Sequence, residues 1–153
     1  MTVKQQSDFK IEYHWAEGSV PPPYHYEYSL ILHGDGTGFV SYWPDYDMPG
    51  VLFWQRKFPI PPEKYEALKT LIEQDGLISH IWRQPEVVPV GGSQEWCKGI
   101  VSGRILLIPT ELIQQDADKA RAFYNEIKQI VPQKLWDEFS RLREDYMNRF
   151  TGK

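Results

Sequence analysis

A run of alternating large and polar side chains, interrupted by Gly34-Asp35-Gly36, limits how this chain can fold more than any other segment. Successive side chains of a β-strand point to opposite faces, so a period of two indicates strands with one buried face. An Asp-Gly pair between two such segments favours a type I′ hairpin, because that turn needs residues that accept positive φ. The row of large side chains before the turn consists of Tyr24, Tyr26, Tyr28, Leu30 and Leu32.

A two-residue turn at Asp35-Gly36 also fixes the register of this hairpin. Three opposed pairs are then expected: Leu32 with Phe39, Leu30 with Ser41, and Tyr28 with Trp43. This register keeps most of the large side chains on one face, as a sheet with one buried side requires.

The rest of the chain supplies further strands and then helices. Residues 9–15 alternate like a strand, 51–58 form a fourth strand that prolines end, and 95–101 with 104–108 form a later hairpin. Apolar side chains at helical spacing predict helices over 62–76, 116–131 and 135–150, with Asp116 as an N-cap. The order predicts a two-layer α+β domain over 9–150: a twisted antiparallel sheet with three helices packed on one face. Residues 1–8 are expected to be a flexible tail.

Composition narrows the classes of function. The net charge is −4, whereas nucleic-acid-binding domains typically carry an excess of basic residues. No apolar run in the sequence is long enough to span a membrane. A single cysteine, Cys97, excludes an internal disulfide, so we expect a cytoplasmic protein. Aromatic residues make up 14% of the chain, a surplus that core packing explains more often than a binding surface.

Histidine and glutamate side chains cluster on the first two strands. If 9–15 and 24–33 pair with an odd sum of indices, Glu12, His14, His25 and Glu27 share the polar face of the sheet. The simplest register sets His14 opposite His25 and Glu12 opposite Glu27, close enough to share an ion. Two imidazoles and two carboxylates suit Zn²⁺ or a similar divalent ion. The alternative is a solvated sheet face, on which nearby lysine or arginine residues balance the glutamates.

Two loops rich in proline, glycine and aromatic residues are expected at one end of the sheet, over 18–24 and 89–96. If the later hairpin joins the sheet beside the first strand, Tyr24, His25, Ser93 and Trp96 would line a pocket between them. Cys97 and Ser93 lack the context of a nucleophile, and Asp45 and Asp47 lack the spacing of a calcium loop. We expect those two aspartates to form turns.

No catalytic or cofactor signature stands out, and we expect no cofactor. The sequence favours a non-enzymatic domain that binds a ligand, a protein partner or a second copy of itself, without nucleic acid or membrane. The alternative is a metal-binding protein or metal-dependent enzyme that uses the His/Glu cluster.

Overall fold

The computed structural model describes residues 9–46, 52–88 and 91–150, and the predicted tail over 1–8 lies outside them. The described residues form one six-stranded antiparallel sheet and three helices, which confirms the predicted α+β class. The strands are β1 (Phe9–Ala16), β2 (Glu27–His33), β3 (Thr37–Trp43), β4 (Trp54–Pro59), β5 (Gln94–Val101) and β6 (Arg104–Ile108). The helices are α1 (Pro62–Gln74), α2 (Gln114–Ile130) and α3 (Gln133–Phe150). None of these described helices is both long and apolar enough to cross a membrane.

The strand order is β4-β3-β2-β1-β5-β6, so β1 lies inside the sheet with β2 on one side and β5 on the other. Gly99 of β5 permits the close approach to β1, because a Cβ at this position would collide with the carbonyl oxygen of Lys10. The central position of β1 brings the loop after β1 next to the segment that leads into β5. The candidate site lies where these two segments meet.

The helices cover the face of the sheet that carries the alternating large residues. Tyr28 lies at the centre of this aromatic layer, with its ring against Trp15, Tyr42 and Trp136. Fully buried side chains from α2 and α3, among them Phe123 and Phe139, complete the core. The opposite face carries His14, Glu27 and Trp96 at one end, and Ile105 and Leu107 on the edge strand β6.

The predicted register of the β2–β3 hairpin is wrong by one residue. Leu30 lies opposite Val40 and Tyr28 lies opposite Tyr42, so Phe39 belongs to the face away from the helices. The turn uses Gly34, Asp35 and Gly36 rather than two residues. The amide of Gly36 donates to the carbonyl of His33 at 3.1 Å, and Gly36 alone of the three has a positive φ, +89°. A turn followed by a left-handed glycine adds the extra residue that shifts the pairing.

Asp116 is not the N-cap of α2, because the helix begins two residues earlier, at Gln114. Its buried carboxylate instead accepts hydrogen bonds from the backbone amide and the guanidinium of Arg83, and contacts His80 at 3.0 Å. The bonds from the Arg83 side chain and amide hold the pKa of Asp116 well below its usual range. This cluster ties the segment after α1 to the first turn of α2.

Candidate functional site

A cavity of about 370 Å³ opens at the end of the sheet where β1 ends and β2 and β5 begin. Most of its wall comes from the loop after β1, the entry into β2 and the start of β5. The lining residues there are 16–19, His25, Glu27, Gly91, Gly92, Gln94 and Trp96, and His14, Tyr46 and Thr110 complete the wall. The two loops touch through backbone: a Cβ on Gly18 would lie 2.7 Å from the amide nitrogen of Gly92. Glycine at position 18 therefore allows the loops to close around the cavity.

His25 is the buried centre of this site, with only 4% of its surface exposed. Its Nδ1 atom lies 3.1 Å from the carbonyl oxygen of Gly18, and its Nε2 atom lies 2.7 Å from Oε2 of Glu27. A carbonyl and an ionised carboxylate both only accept hydrogen bonds. Both contacts fix the orientation of the imidazole, and which ring nitrogen donates depends on its tautomer.

The ring of His25 is held from one side by Tyr46. The ring centroids are 3.6 Å apart and the planes differ by 6°, which is a face-to-face stack. The hydroxyl of Tyr46 donates to the carbonyl of Val20 at 2.6 Å. Tyr46 thus fixes the imidazole and the loop before β2 at the same time.

His14 approaches the same carboxylate from β1. Its Nε2 atom lies 3.4 Å from Oε1 of Glu27, and its ring stacks on the indole of Trp96 at 5.5 Å between centroids. His14 and Trp96 are opposed residues of β1 and β5, so the sheet register itself makes this pair. The two oxygens of Glu27 therefore face one histidine each.

The predicted opposition of His14 with His25 and of Glu12 with Glu27 is wrong. The loop between β1 and β2 is longer than the simplest hairpin allows, so His14 pairs with Ser29, and Glu27 pairs with Ala16. The sum of paired indices is still odd, which keeps all four side chains on one face. Glu12 is too far along β1 to join Glu27, and its carboxylate lies 3.6 Å from Nζ of Lys98.

Of the predicted metal ligands, the structure brings together His14, His25 and Glu27. In the part of the chain that the structure describes, no group of three or more His, Cys, Asp or Glu side chains has the arrangement that would hold a metal ion. The contact between Glu27 and His25 is a hydrogen bond, and His14 lies at ion-pair distance from the same carboxylate. Metal binding stays a prediction.

The predicted pocket residues divide into two pairs. His25 and Trp96 line the cavity. Tyr24 is 52% exposed, and its carbonyl accepts a hydrogen bond from Arg143 on the helix side; Ser93 is also exposed, and neither residue is part of the wall. Sequence reasoning missed Glu17 and Tyr46. Both residues lie outside the strands, so the alternating pattern does not predict their positions. Glu17 directly precedes Gly18, the glycine that the contact between the two loops requires.

Two other candidates lie elsewhere. Cys97 is fully buried under the helices, and burial raises the pKa of its thiol, so it lacks the thiolate character of a nucleophile. The chain bends at Asp45, whose carboxylate accepts a hydrogen bond from the Tyr46 amide at 2.7 Å. Asp47 lies outside the described residues.

Two carboxylates belong to the described part of the cavity wall. Glu17 and Glu27 are the carboxylates among its described lining residues, and none of those residues is lysine or arginine. One carboxylate oxygen of Glu17 accepts a hydrogen bond from the amide of Gly18, at 2.9 Å. The remaining acceptor positions of the two glutamates favour a bound group that carries positive charge or several N–H donors. No protein-family model matches this chain, and a search of curated proteins finds no significant match.

Proposed function

We propose that this chain is a non-enzymatic binding domain that holds a small organic cation, such as an amine or a guanidinium compound, in the cavity beside Glu27. The observation that carries the proposal is a wall whose described ionisable groups are two glutamates, two histidines and Tyr46, without a lysine or arginine that would oppose a cation. A carboxylate that faces such a cavity binds N–H donors through charge-assisted hydrogen bonds, which are the stronger kind.

The size and rigidity of the cavity support a small ligand. Its 370 Å³ falls within the range of small-molecule sites in proteins, which is about 300–1,000 Å³. Its central residues are fixed before any ligand arrives, because His25 is bonded at both nitrogens and stacked on Tyr46. A site that is already ordered loses less side-chain freedom on binding.

A binding role fits His25 better than an acid–base role. Both of its ring nitrogens are occupied by Gly18 and Glu27, and its ring is buried, so it positions the carboxylate rather than exchanging protons with a ligand. His14 is the more exposed imidazole of the pair, and it stands between Glu27 and Trp96.

The test is a thermal-shift and calorimetry series with methylguanidinium, putrescine and butylammonium, each compared with a neutral compound of similar shape. A cation at 100 times its dissociation constant should stabilise the protein by about 2.7 kcal/mol. Glu27→Gln removes the charge at nearly constant size and should abolish this stabilisation. Glu12→Gln is the matched control on the same face, outside the cavity, and should bind like the wild type. Equal binding of neutral compounds, no binding at all, or unchanged binding by Glu27→Gln would overturn the proposal.

A divalent metal ion is the second candidate, favoured by the two Nε2 atoms that both face Glu27. Co²⁺ serves as a probe, because a site with two imidazoles gives it a characteristic visible spectrum. We expect one equivalent of Co²⁺ to bind the wild type, His14→Ala to lose this binding, and His33→Ala to retain it. If the wild type with Co²⁺ gives no such spectrum, the metal ion is ruled out as the ligand and the organic cation is the one candidate of the two that remains.

Association with a protein partner or a second copy also stays a prediction. The surface on which to test it is β6, the edge strand of the described sheet, where Ile105 and Leu107 are 73% and 61% exposed. A mass that rises with concentration in the wild type, but not in Leu107→Lys, would support self-association. A constant monomer mass would count against it.

A further inference from the structure

A second cavity, also of about 370 Å³, lies on the other side of the sheet, between its aromatic row and the helices. Tyr26, Tyr28 and Tyr42 form its floor, while Trp136 and Arg143 of α3 and Lys128 of α2 form its walls. The segment 25–27 separates it from the first cavity, because His25 and Glu27 point to one face and Tyr26 to the other. The charge of its wall is the reverse of the first cavity, with two cationic side chains and no carboxylate among the described lining residues.

Arg143 is held at the mouth of this cavity without an acidic partner. Its guanidinium carbon lies 4.2 Å from the ring centroid of Tyr26, and Nη2 donates to the carbonyl of Tyr24 at 3.1 Å. No carboxylate of the described residues lies within ion-pair distance of it, whereas Arg56, Arg83 and Arg121 each have one. The position of Arg143 is therefore fixed by a ring and a carbonyl, and its charge is not neutralised locally.

The Nε–H group of Arg143 is buried and has no acceptor within the described protein. A buried donor without a partner typically costs about 1–3 kcal/mol, and more when it belongs to a charged group. The planar edge of a guanidinium matches the two oxygens of a carboxylate. Arg143 also lines the cavity, so an anion there would balance a charge that no described carboxylate neutralises.

The neighbouring rings define the rest of the ligand. Tyr26 and Tyr42 are roughly parallel, with centroids 5.7 Å apart, and Trp136 meets Tyr28 edge to face at 5.0 Å. The indole N–H of Trp136 is already bonded to the carbonyl of Lys128, at 3.2 Å, so that ring offers the cavity mainly apolar surface. Aromatic walls of this kind favour a flat, apolar body through offset stacking and edge contacts.

Lys128 adds a second, weaker positive charge. Its Nζ atom lies 3.9 Å from a carboxylate oxygen of Glu95 and 5.7 Å from the ring centroid of Tyr13. Because Glu95 already faces Lys128, we assign the anion to Arg143. Lys128 then adds to the positive electrostatic potential of the cavity and does not contact the anion directly.

We propose that this second cavity binds a small aromatic carboxylate, with its carboxylate on Arg143 and its ring against the aromatic side chains that line the cavity. The proposal does not depend on the first cavity, which selects for the opposite charge. It assigns anion binding to Arg143 and not to Arg141, an exposed arginine of the same helix.

Benzoate is the probe, and three compounds separate its features: acetate lacks the ring, benzyl alcohol lacks the charge, and inorganic phosphate offers charge without a flat body. Calorimetry should show benzoate binding to the wild type at least tenfold more tightly than the other three. Arg143→Met should lower the affinity for benzoate at least tenfold. Arg141→Met is the matched control, an exposed arginine of the same helix, and should bind like the wild type.

A measurement on the unaltered protein guards against a variant that fails to fold. In the wild type, benzoate should shift the indole N–H resonance of Trp136 and leave that of Trp96, in the first cavity, unchanged. Benzoate binding should also survive Glu27→Gln, which separates this proposal from the first one. Equal affinity for benzyl alcohol, a shift confined to Trp96, or undiminished binding by folded Arg143→Met would each overturn it.

Discussion

His25 and Tyr46 stack face to face with their ring centroids 3.6 Å apart, although 20 residues separate them in the chain. One residue belongs to the entry into β2 and the other to the loop after β3. Their contact joins two loops that the sheet hydrogen bonds alone would leave independent. The hydroxyl of Tyr46 extends the link to the carbonyl of Val20. The order of the first cavity therefore depends on Tyr46.

Tyr46→Phe keeps the stack and removes the hydrogen bond to Val20, so we expect a loss of about 0.5–1.5 kcal/mol in the free energy of unfolding. Tyr46→Ala removes both interactions and should cost more. Urea denaturation of the two variants measures the difference. Tyr24→Phe changes an exposed hydroxyl and should stay within about 0.5 kcal/mol of the wild type. If Tyr46→Ala is no less stable than Tyr46→Phe, the stack does not hold the loops.

The faces of the strands could be predicted from sequence, but the register could not. Alternation fixes which residues share a side, so it predicts His14 and Glu27 away from Tyr13 and Tyr28, and the pairing of β1 with β2 confirms this. Register depends on turn geometry, and the left-handed Gly36 adds a residue that the Asp-Gly pair does not reveal. His25 and Glu27 are two apart on one segment, so their contact follows from the strand period.

Tyr46 and Arg143 mark the limit of sequence reasoning about the two cavities. Each reaches its cavity through an arrangement of loops or helices against the sheet, and such long-range packing leaves no periodic signal. Arg143 sits on a helix whose apolar stripe is easily recognised. What makes it a candidate ligand contact is its position in the cavity wall without an acidic partner among the described residues, which is a property of packing alone.

Gly99→Ala tests the close approach of β1 and β5. The added methyl group would collide with the backbone carbonyl of Lys10, which cannot move without disturbing the sheet. We expect a loss of about 1–3 kcal/mol in the free energy of unfolding, the usual cost of overpacking. Ile100→Ala, at an exposed position of the same strand, is the control and should change stability little. Equal stability of Gly99→Ala and the wild type would mean that the strands are farther apart than described.

Asp116 should make the stability of the protein sensitive to acid. Its pKa is lowered in the folded state by the bonds from Arg83, so the folded protein binds this proton less readily than the unfolded chain. The stabilisation is present above the ordinary pKa of 3.8 and is lost as the pH falls below it, toward the folded value. Asp116→Asn should melt at a lower temperature than the wild type at neutral pH, and the gap should narrow as the pH falls. A gap that is constant with pH would show that the carboxylate charge contributes nothing.

Tyr146 should have the opposite effect at alkaline pH. Its hydroxyl donates to Oδ2 of Asp45 at 2.7 Å, and burial together with this bond raises the pKa of Tyr146 to about 12. The folded protein therefore holds the phenolic proton more tightly than the unfolded chain, whose tyrosine titrates at 10.0. The stabilisation is complete below pH 10.0 and is lost as the pH rises toward about 12.

Tyr146→Phe removes this titration together with the bond to Asp45, so the variant should be less stable than the wild type at neutral pH and should approach it as the pH rises. Urea denaturation at a series of alkaline pH values measures the gap, and Tyr24→Phe corrects for an exposed tyrosine. Because Asp45 also accepts from the amide of Tyr46, losing the Tyr146 bond should loosen the loop that carries the His25 stack. Tyr146→Phe should therefore weaken cation binding in the first cavity, while Tyr24→Phe should not. A variant that binds cations normally would show that α3 has no part in positioning Tyr46.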